Sequence, residues 1–108
     1  MKLELNAKTY EIEGFTFGTL CALEERKISI TDLTRKPMSF LRDFIGIQTG
    51  LSRAEVEKEI TEHIVNGGSM EDLMNTITES LEESGFFQKL VGTAPKDKQK
   101  KKPSKSNA

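Results

Sequence analysis

Four stretches of this chain carry the same ordered signals: a residue that caps a helix, an apolar stripe at helical spacing, and a residue that ends a helix. Ser and Thr side chains accept hydrogen bonds from the first amides of a helix, and apolar residues three or four apart form one buried face. The stripe that follows Pro37 is the widest, so this helix is expected to be central. The predicted helices begin near Thr16, Pro37, Ser52 and Ser69 and end near Arg26, Gly50, Asn66 and Gly85.

Apolar and charged residues alternate at the N-terminus, which is the pattern of a half-buried strand. Lys2–Leu5 and residues 9–13 both show it, and Asn6 between them tolerates the left-handed conformation of tight turns. A two-stranded hairpin is not stable alone, so it must pack on the helices. The sequence therefore predicts an α+β domain in which an N-terminal β-hairpin packs on about four α-helices.

The length and the N-terminal residues limit the classes of protein that this chain can belong to. Its 108 residues suffice for one domain but not for two independent cores. No apolar run approaches the roughly 20 residues that a membrane span needs. Charged residues also interrupt the N-terminal segment, where a signal peptide would be uniformly apolar. We therefore expect a cytoplasmic protein with no membrane partner.

The net charge of −1 conceals an acidic part and a basic part of the chain. From Ala94 onward six lysines accompany a single aspartate, which gives +5, whereas the preceding residues hold ten basic and sixteen acidic side chains, which gives −6. The segment after Gly92 is rich in Lys, Pro, Ser and Gln, a composition that buries too little surface to offset the entropy of ordering. We therefore predict a folded domain over residues 1–92 and a disordered lysine-rich tail over residues 93–108.

The residue types that usually carry catalysis or bind metals are scarce. Cys21 is the single cysteine and His63 the single histidine, so neither a thiolate cluster nor a histidine cluster can form. Cys21 is expected to be buried, and His63 to lie, with its polar atoms satisfied, at the border of an apolar stripe. The glutamates after Ser52 spread around their helix, which is typical of a solvated face. We expect no enzyme activity, no cofactor and no metal site.

Phe86, Phe87, Leu90 and Val91 form an apolar group just before the basic tail. One interpretation is that they fold back and complete the core. The other is that they form an exposed surface that captures a partner, since exposed apolar patches usually mark interfaces. The sequence leaves both interpretations open.

Four short pieces of sequence, by their order and spacing, carry a resemblance to a known family. They are YEIEGFTFG at residues 10–18, PMSFLR at 37–42, EHIVNGG at 62–68 and ESGFF at 83–87. Together they extend over nearly the whole folded part, and the chain resembles the tail assembly chaperones of long-tailed bacteriophages and related prophage elements of Gram-positive bacteria. None of the pieces is a catalytic signature, so the resemblance implies a role and not a reaction.

The resemblance implies that the chain binds a tape-measure protein in the host bacterial cytoplasm, keeps its apolar helices soluble and helps to recruit tail tube subunits. It also implies release during assembly, so the protein would be absent from the mature virion. The family commonly has a second, longer product made by ribosomal frameshifting, through which the tail tube protein is expected to bind. Adenine-rich codons for Lys100, Lys101 and Lys102 would provide a place for the ribosome to slip.

The expected contacts with the tape-measure protein come from the group before the tail and from the central helix: Phe86, Phe87, Leu90, Val91, Phe40 and Phe44. Self-association of the domain is left open. The alternative function is a small regulatory adaptor whose lysine tail contacts nucleic acid. The acidic body makes nucleic acid the less favoured partner, because it would repel the phosphates. Salt-sensitive nucleic-acid binding that disappears when the residues after Pro95 are removed would identify the adaptor.

Overall fold

A computed structural model describes residues 1–91 and contains two strands followed by six helices within that range. The strands are β1 (Lys2–Leu5) and β2 (Lys8–Glu11), and the helices are α1 (Phe17–Glu25), α2 (Asp32–Arg35), α3 (Pro37–Thr49), α4 (Arg53–Val65), α5 (Met70–Glu82) and α6 (Gly85–Val91). The predicted α+β class is confirmed. The four predicted helices are α1, α3, α4 and α5, and the short helices α2 and α6 are additional. The predicted lysine-rich tail and its boundary at residue 92 lie outside the described residues.

The N-terminal hairpin is antiparallel and has the predicted tight turn. Lys2 lies opposite Glu11 and Leu5 lies opposite Lys8, so Asn6 and Ala7 form a two-residue connection. Both of these residues have positive φ, 53° and 65°, as a type I′ hairpin turn requires. Strand β2 begins one residue before the predicted strand 9–13 and ends two residues before it.

The open end of the hairpin, opposite the turn, holds a small surface cluster of charges. The Lys2 ammonium and the N-terminal ammonium each lie 2.8 Å from a carboxylate oxygen of Glu11. The hydrogen bond from Lys2, followed by that from the N-terminus, lowers the pKa of Glu11 to about 2. Glu11 is therefore ionised at neutral and mildly acidic pH, where it bridges β1 and β2 at this end.

Capping contacts define the helix ends where the sequence predicts them. The Ser52 hydroxyl accepts a hydrogen bond from the Glu55 amide at 3.1 Å, and the Glu55 carboxylate accepts one from the Ser52 amide at 2.8 Å, so the predicted capping box is confirmed. Ser69 accepts from the amide of Asp72. Gly50 has φ of 82° and ends α3, a conformation that glycine adopts at little cost.

The chain does differ from the prediction after α5. This helix ends at Glu82, and Gly85 begins α6 instead of ending α5. The buried Ser84 makes the turn between the two helices, because its hydroxyl donates to the carbonyl of Phe15 at 2.6 Å and accepts from the amide of Phe87 at 3.0 Å. Ser84 thus ties α6 to the segment that precedes α1.

Helix α3 lies at the centre of the fold, as predicted. It contacts α1, α2, α4 and β2, and its inward side chains Phe40, Leu41, Phe44 and Ile45 are all buried. Helix α5 contacts β1 and α6. None of the helices within residues 1–91 is long and apolar enough to cross a membrane.

A buried charge on α3 is a feature that the sequence patterns did not predict. Asp43 has no exposed surface, and its carboxylate accepts hydrogen bonds from Arg53 at 2.9 and 3.0 Å and from Arg42 and Arg26 at 3.3 Å. Arg53 also donates to the backbone carbonyl of Arg26 at 2.6 Å. Burial alone would raise the pKa of Asp43, but the hydrogen bonds from Arg53 and Arg42 outweigh it and lower that pKa. Through Asp43, the ends of α1 and α4 are joined to the middle of α3.

Candidate docking surface

Phenylalanine rings form a chain of contacts through the core. Phe40 stacks on Phe44 with ring centroids 6.2 Å apart, and Phe44 stacks on Phe15 at 6.3 Å. Phe87 meets the same Phe15 ring edge-on at 5.3 Å. All four side chains are buried, so they form a packed aromatic base beneath the residues at the surface.

The aromatic contacts continue to the surface at Phe86 and Phe17. Phe86 stacks on Phe15 at 6.1 Å and meets Phe17 edge-on at 6.2 Å. Phe86 is 36% exposed and Phe17 is 65% exposed. Leu90 lies one helical turn after Phe86, on the same side of α6, and both it and Val91 are about two-fifths exposed. We call these four exposed residues, Phe17, Phe86, Leu90 and Val91, the α6 surface.

The structure divides the six residues predicted to contact a client. Three of them are exposed and belong to the α6 surface: Phe86, Leu90 and Val91. The other three are buried and offer no surface to a client in this structure: Phe40, Phe44 and Phe87. The first two lie on the inward stripe of α3, and Phe87 is held beneath Phe15 by the hydrogen bond of its amide to Ser84. The predictions of a completed core and of an exposed surface are thus each right for part of one short helix.

Phe17 belongs to the surface, although its helical spacing from Leu20 and Cys21 predicts that it lies on the apolar side of α1. It is the first residue of that helix, directly after the capping residue Thr16. Phe15, two residues earlier, points into the core while Phe17 points to solvent. The backbone changes from extended to helical at the capping residue Thr16, so Phe17 does not follow the two-residue period that would place it on the same side as Phe15.

Acidic side chains occupy the helix that precedes the α6 surface. Helix α5 contains four acidic residues and no basic one, and Glu83 follows it directly; all five are exposed: Glu71, Asp72, Glu79, Glu82 and Glu83. None of the five forms an ion pair with another residue of the described range 1–91. Lys89 is the only charged residue of α6. Three of the five, Glu79, Glu82 and Glu83, lie at the end of α5 that leads into α6, so this end is negatively charged.

An apolar depression, separate from the α6 surface, lies between α3, α4 and the start of α5. It has a volume of about 280 Å³, and its apolar lining includes Met38, Leu41, Ile60 and Met70. The ion pair of Arg42 with Glu57, 3.0 Å long, lies among its lining residues. The predicted contact residues Phe40 and Phe44 are not among its lining residues.

No protein-family model, curated protein or solved structure matches this chain. The resemblance to tail assembly chaperones therefore stays a prediction, based on four short pieces of sequence.

Within residues 1–91, no three His, Cys, Asp or Glu side chains lie where they would hold a metal ion. Cys21 is half-buried and not buried as expected. The α6 surface is the feature from which a function is best argued.

His63 has the structural role that the sequence predicts. Its Nδ1 accepts a hydrogen bond from the backbone amide of Asn6 at 2.8 Å, and the ring packs against Gly68. The Asn6 side chain also donates to Glu62 at 2.9 Å and to Glu59 at 3.2 Å. Helix α4 is thereby attached to the hairpin turn.

The prediction that the glutamates of α4 form a solvated face is wrong for Glu59. Its side chain is only 13% exposed, because it accepts hydrogen bonds from Asn6 and Lys8 across the interface with the hairpin. The hydrogen bond from Asn6, followed by that from Lys8, lowers the pKa of Glu59. Spacing within one helix does not show that a distant turn supplies these donors.

Gly68→Ala is expected to lower the free energy of unfolding by about 1–2 kcal/mol, the cost of an unpaired amide. A Cβ at position 68 would overlap the His63 ring, which must then move away from the amide of Asn6. Gly14→Ala is the matched control, because nothing lies within 4 Å of a Cβ there, and its effect should stay within about 0.5 kcal/mol. Urea unfolding and the NMR shift of the Asn6 amide measure both effects. An unchanged stability and an unchanged Asn6 shift in Gly68→Ala would contradict this role for His63.

Proposed function

We propose that this protein is a phage tail assembly chaperone that holds apolar helices of a tape-measure protein in the host bacterial cytoplasm. It helps tail tube subunits to join the complex, mainly through a longer frameshifted form, and is absent from the mature virion. The single observation that best supports the proposal is the α6 surface, where four apolar side chains lie exposed on a rigid aromatic base. The family resemblance supplies the identity of the client.

The α6 surface has the properties that capture of an amphipathic helix requires. Such a helix binds by placing its apolar stripe against an apolar surface on a soluble carrier. Aromatic anchors held in place by neighbours contribute most to interfaces of this kind, and Phe86 is held by the buried ring of Phe15. A surface of four residues binds weakly by itself, but several copies along one long client would retain it by avidity.

Co-expression with the tape-measure protein encoded nearby tests the proposal. We expect the client to become soluble and to co-purify with the chain. Leu90→Gln should weaken the complex about five- to tenfold, because an apolar contact is replaced by a polar one. Val65→Gln is the matched control: Val65 is 77% exposed but lies on α4, outside the α6 surface, and its replacement should leave the complex unchanged.

Two results would overturn the proposal. One is a client that stays insoluble while the chain itself is folded. The other is an equal loss of binding in Leu90→Gln and Val65→Gln, which would show that the α6 surface is not the contact. Removal of the residues after Pro95 separates the alternative function, because the chaperone should keep its client whereas a nucleic-acid adaptor should lose salt-sensitive binding of DNA or RNA.

A further inference from the structure

We propose that the α6 surface selects helices whose apolar stripe is flanked by Lys or Arg and disfavours those flanked by Asp or Glu. The inference rests on the proposed function and adds the chemical class of the client segment. Its basis is that the exposed acidic residues at the end of α5 directly precede the apolar residues of α6 and form no ion pair with other residues of the range 1–91. The acidic residues beside the surface would set the preference for the charge of the client helix, and the apolar residues would supply the affinity.

The acidic residues at the end of α5 have a fixed relation to the apolar residues. Glu82 and Glu83 precede Phe86 by four and three residues, and the turn between them is anchored by the Ser84 hydroxyl on the Phe15 carbonyl. The opposite side of α5 is buried through residues such as Ile77 and Leu81, so the acidic side faces solvent. Glu82 and Glu83 are thus exposed within four residues of Phe86, and we expect a helix that covers Phe86 to pass near them.

Within residues 1–91, the charges at this end of α5 are not engaged in ion pairs. Glu79, Glu82 and Glu83 form no ion pair within the described part of the chain, and Lys89 offsets only one of them. Like charges brought together at an interface are unfavourable, and opposite charges speed and orient association. The depression beside α3 offers no comparable selection, because its Arg42 and Glu57 already pair with each other.

Three synthetic helical peptides with one apolar stripe and different flanks provide the probe. The flanking residues are Lys in the first peptide, Gln in the second and Glu in the third. Fluorescence anisotropy with the full chain at 50 mM and 300 mM NaCl should give the affinity order Lys, Gln, Glu. The Lys peptide should bind about tenfold more tightly than the Glu peptide at low salt, from a few exposed charge pairs. This ratio should shrink at high salt as the charges are screened.

A matched pair of double variants locates the charge effect. Glu82→Gln/Glu83→Gln should remove most of the difference between the Lys and Glu peptides and leave binding of the Gln peptide unchanged. The control is Glu24→Gln/Glu25→Gln, which neutralises another exposed pair of adjacent glutamates at the C-terminal end of a helix, α1. The control should keep the full difference between the peptides.

The outcomes separate this inference from the proposed function. If all three peptides bind equally well, or if the two double variants behave alike, the charge selection is overturned while the apolar docking surface remains. If no peptide binds to the folded chain, the α6 surface is not a helix-docking site, and the contact surface in the proposed function is overturned with the charge selection. Preference for the Lys peptide that depends on Glu82 and Glu83 supports both.

Discussion

Phe15→Ala should lower the free energy of unfolding by about 3–5 kcal/mol, the usual cost of truncating a buried phenylalanine. Phe15 is the ring at which the aromatic contacts meet: it touches Phe44, Phe86 and Phe87. Its loss leaves a cavity between α3 and α6 and removes the base on which Phe86 lies. The total stability of a domain of this size is on the order of 5–10 kcal/mol, so much of the margin would disappear. Urea unfolding followed by circular dichroism measures the change.

Phe17→Ala is the control for this substitution, because it removes the same side chain two residues away. Phe17 is exposed and, among residues 1–91, its ring meets only that of Phe86, so the expected loss is at most about 1 kcal/mol. Client binding should nevertheless weaken in Phe17→Ala, since this substitution keeps the fold but removes part of the docking surface. Equal destabilisation by the two substitutions would show that Phe15 is not the centre of the aromatic core.

Asp43→Asn should cost about 3 kcal/mol of unfolding free energy, the lower end of the range for removing one partner from a buried ion pair. The substitution keeps the shape of the side chain but leaves the guanidinium groups of Arg26, Arg42 and Arg53 without their shared carboxylate. These groups are partly exposed and can turn toward solvent, which limits the loss. Chemical unfolding at neutral pH measures it.

Two measurements test whether the buried charge is responsible. Glu57→Gln removes the exposed partner of Arg42 and should cost no more than about 1 kcal/mol. The pKa of Asp43 is lowered in the folded state, so its contribution is complete above the pKa of an unfolded aspartate and is lost as pH falls through the lower folded value. The stability difference between the wild type and Asp43→Asn should therefore shrink in acid. A difference that is constant with pH would exclude the ion pairs as its source.

The helices and the hairpin could be predicted from the sequence because local interactions define them. The caps at Thr16, Ser52 and Ser69 and the turn at Asn6 each involve residues a few positions apart, and all four are present in the structure. The cluster around Asp43 could not be predicted in this way. It joins residues from α1, α3 and α4, and no local periodicity shows that an aspartate on an apolar helix will meet three arginines.

The candidate site could be predicted only in part, for a related reason. Phe86 and Phe87 are neighbours in a seven-residue helix, which is too short for its apolar spacing to define an inward side. Their separation into surface and core comes from Ser84, whose hydrogen bonds to Phe15 and Phe87 set the rotation of α6. Such contacts depend on the tertiary structure and leave no periodic signal in the sequence.

Under the proposed function, the position of Val91 has a consequence for where tail tube subunits would be brought to the tape-measure protein. This residue belongs to the α6 surface and is also the last described residue, so the polypeptide that follows it starts where the client would be bound. If the ribosome slips at the codons for Lys100–Lys102, the longer product shares at most residues 92–102, eleven residues that span at most about 40 Å when fully extended. In the proposed longer product, a tube-recruiting domain added beyond them would be tethered within that distance of the tape-measure helix. Tethering of this kind raises the local concentration of a second partner to about the millimolar range. The number of tube subunits held near the tape-measure protein would therefore rise with the number of chaperones bound to it.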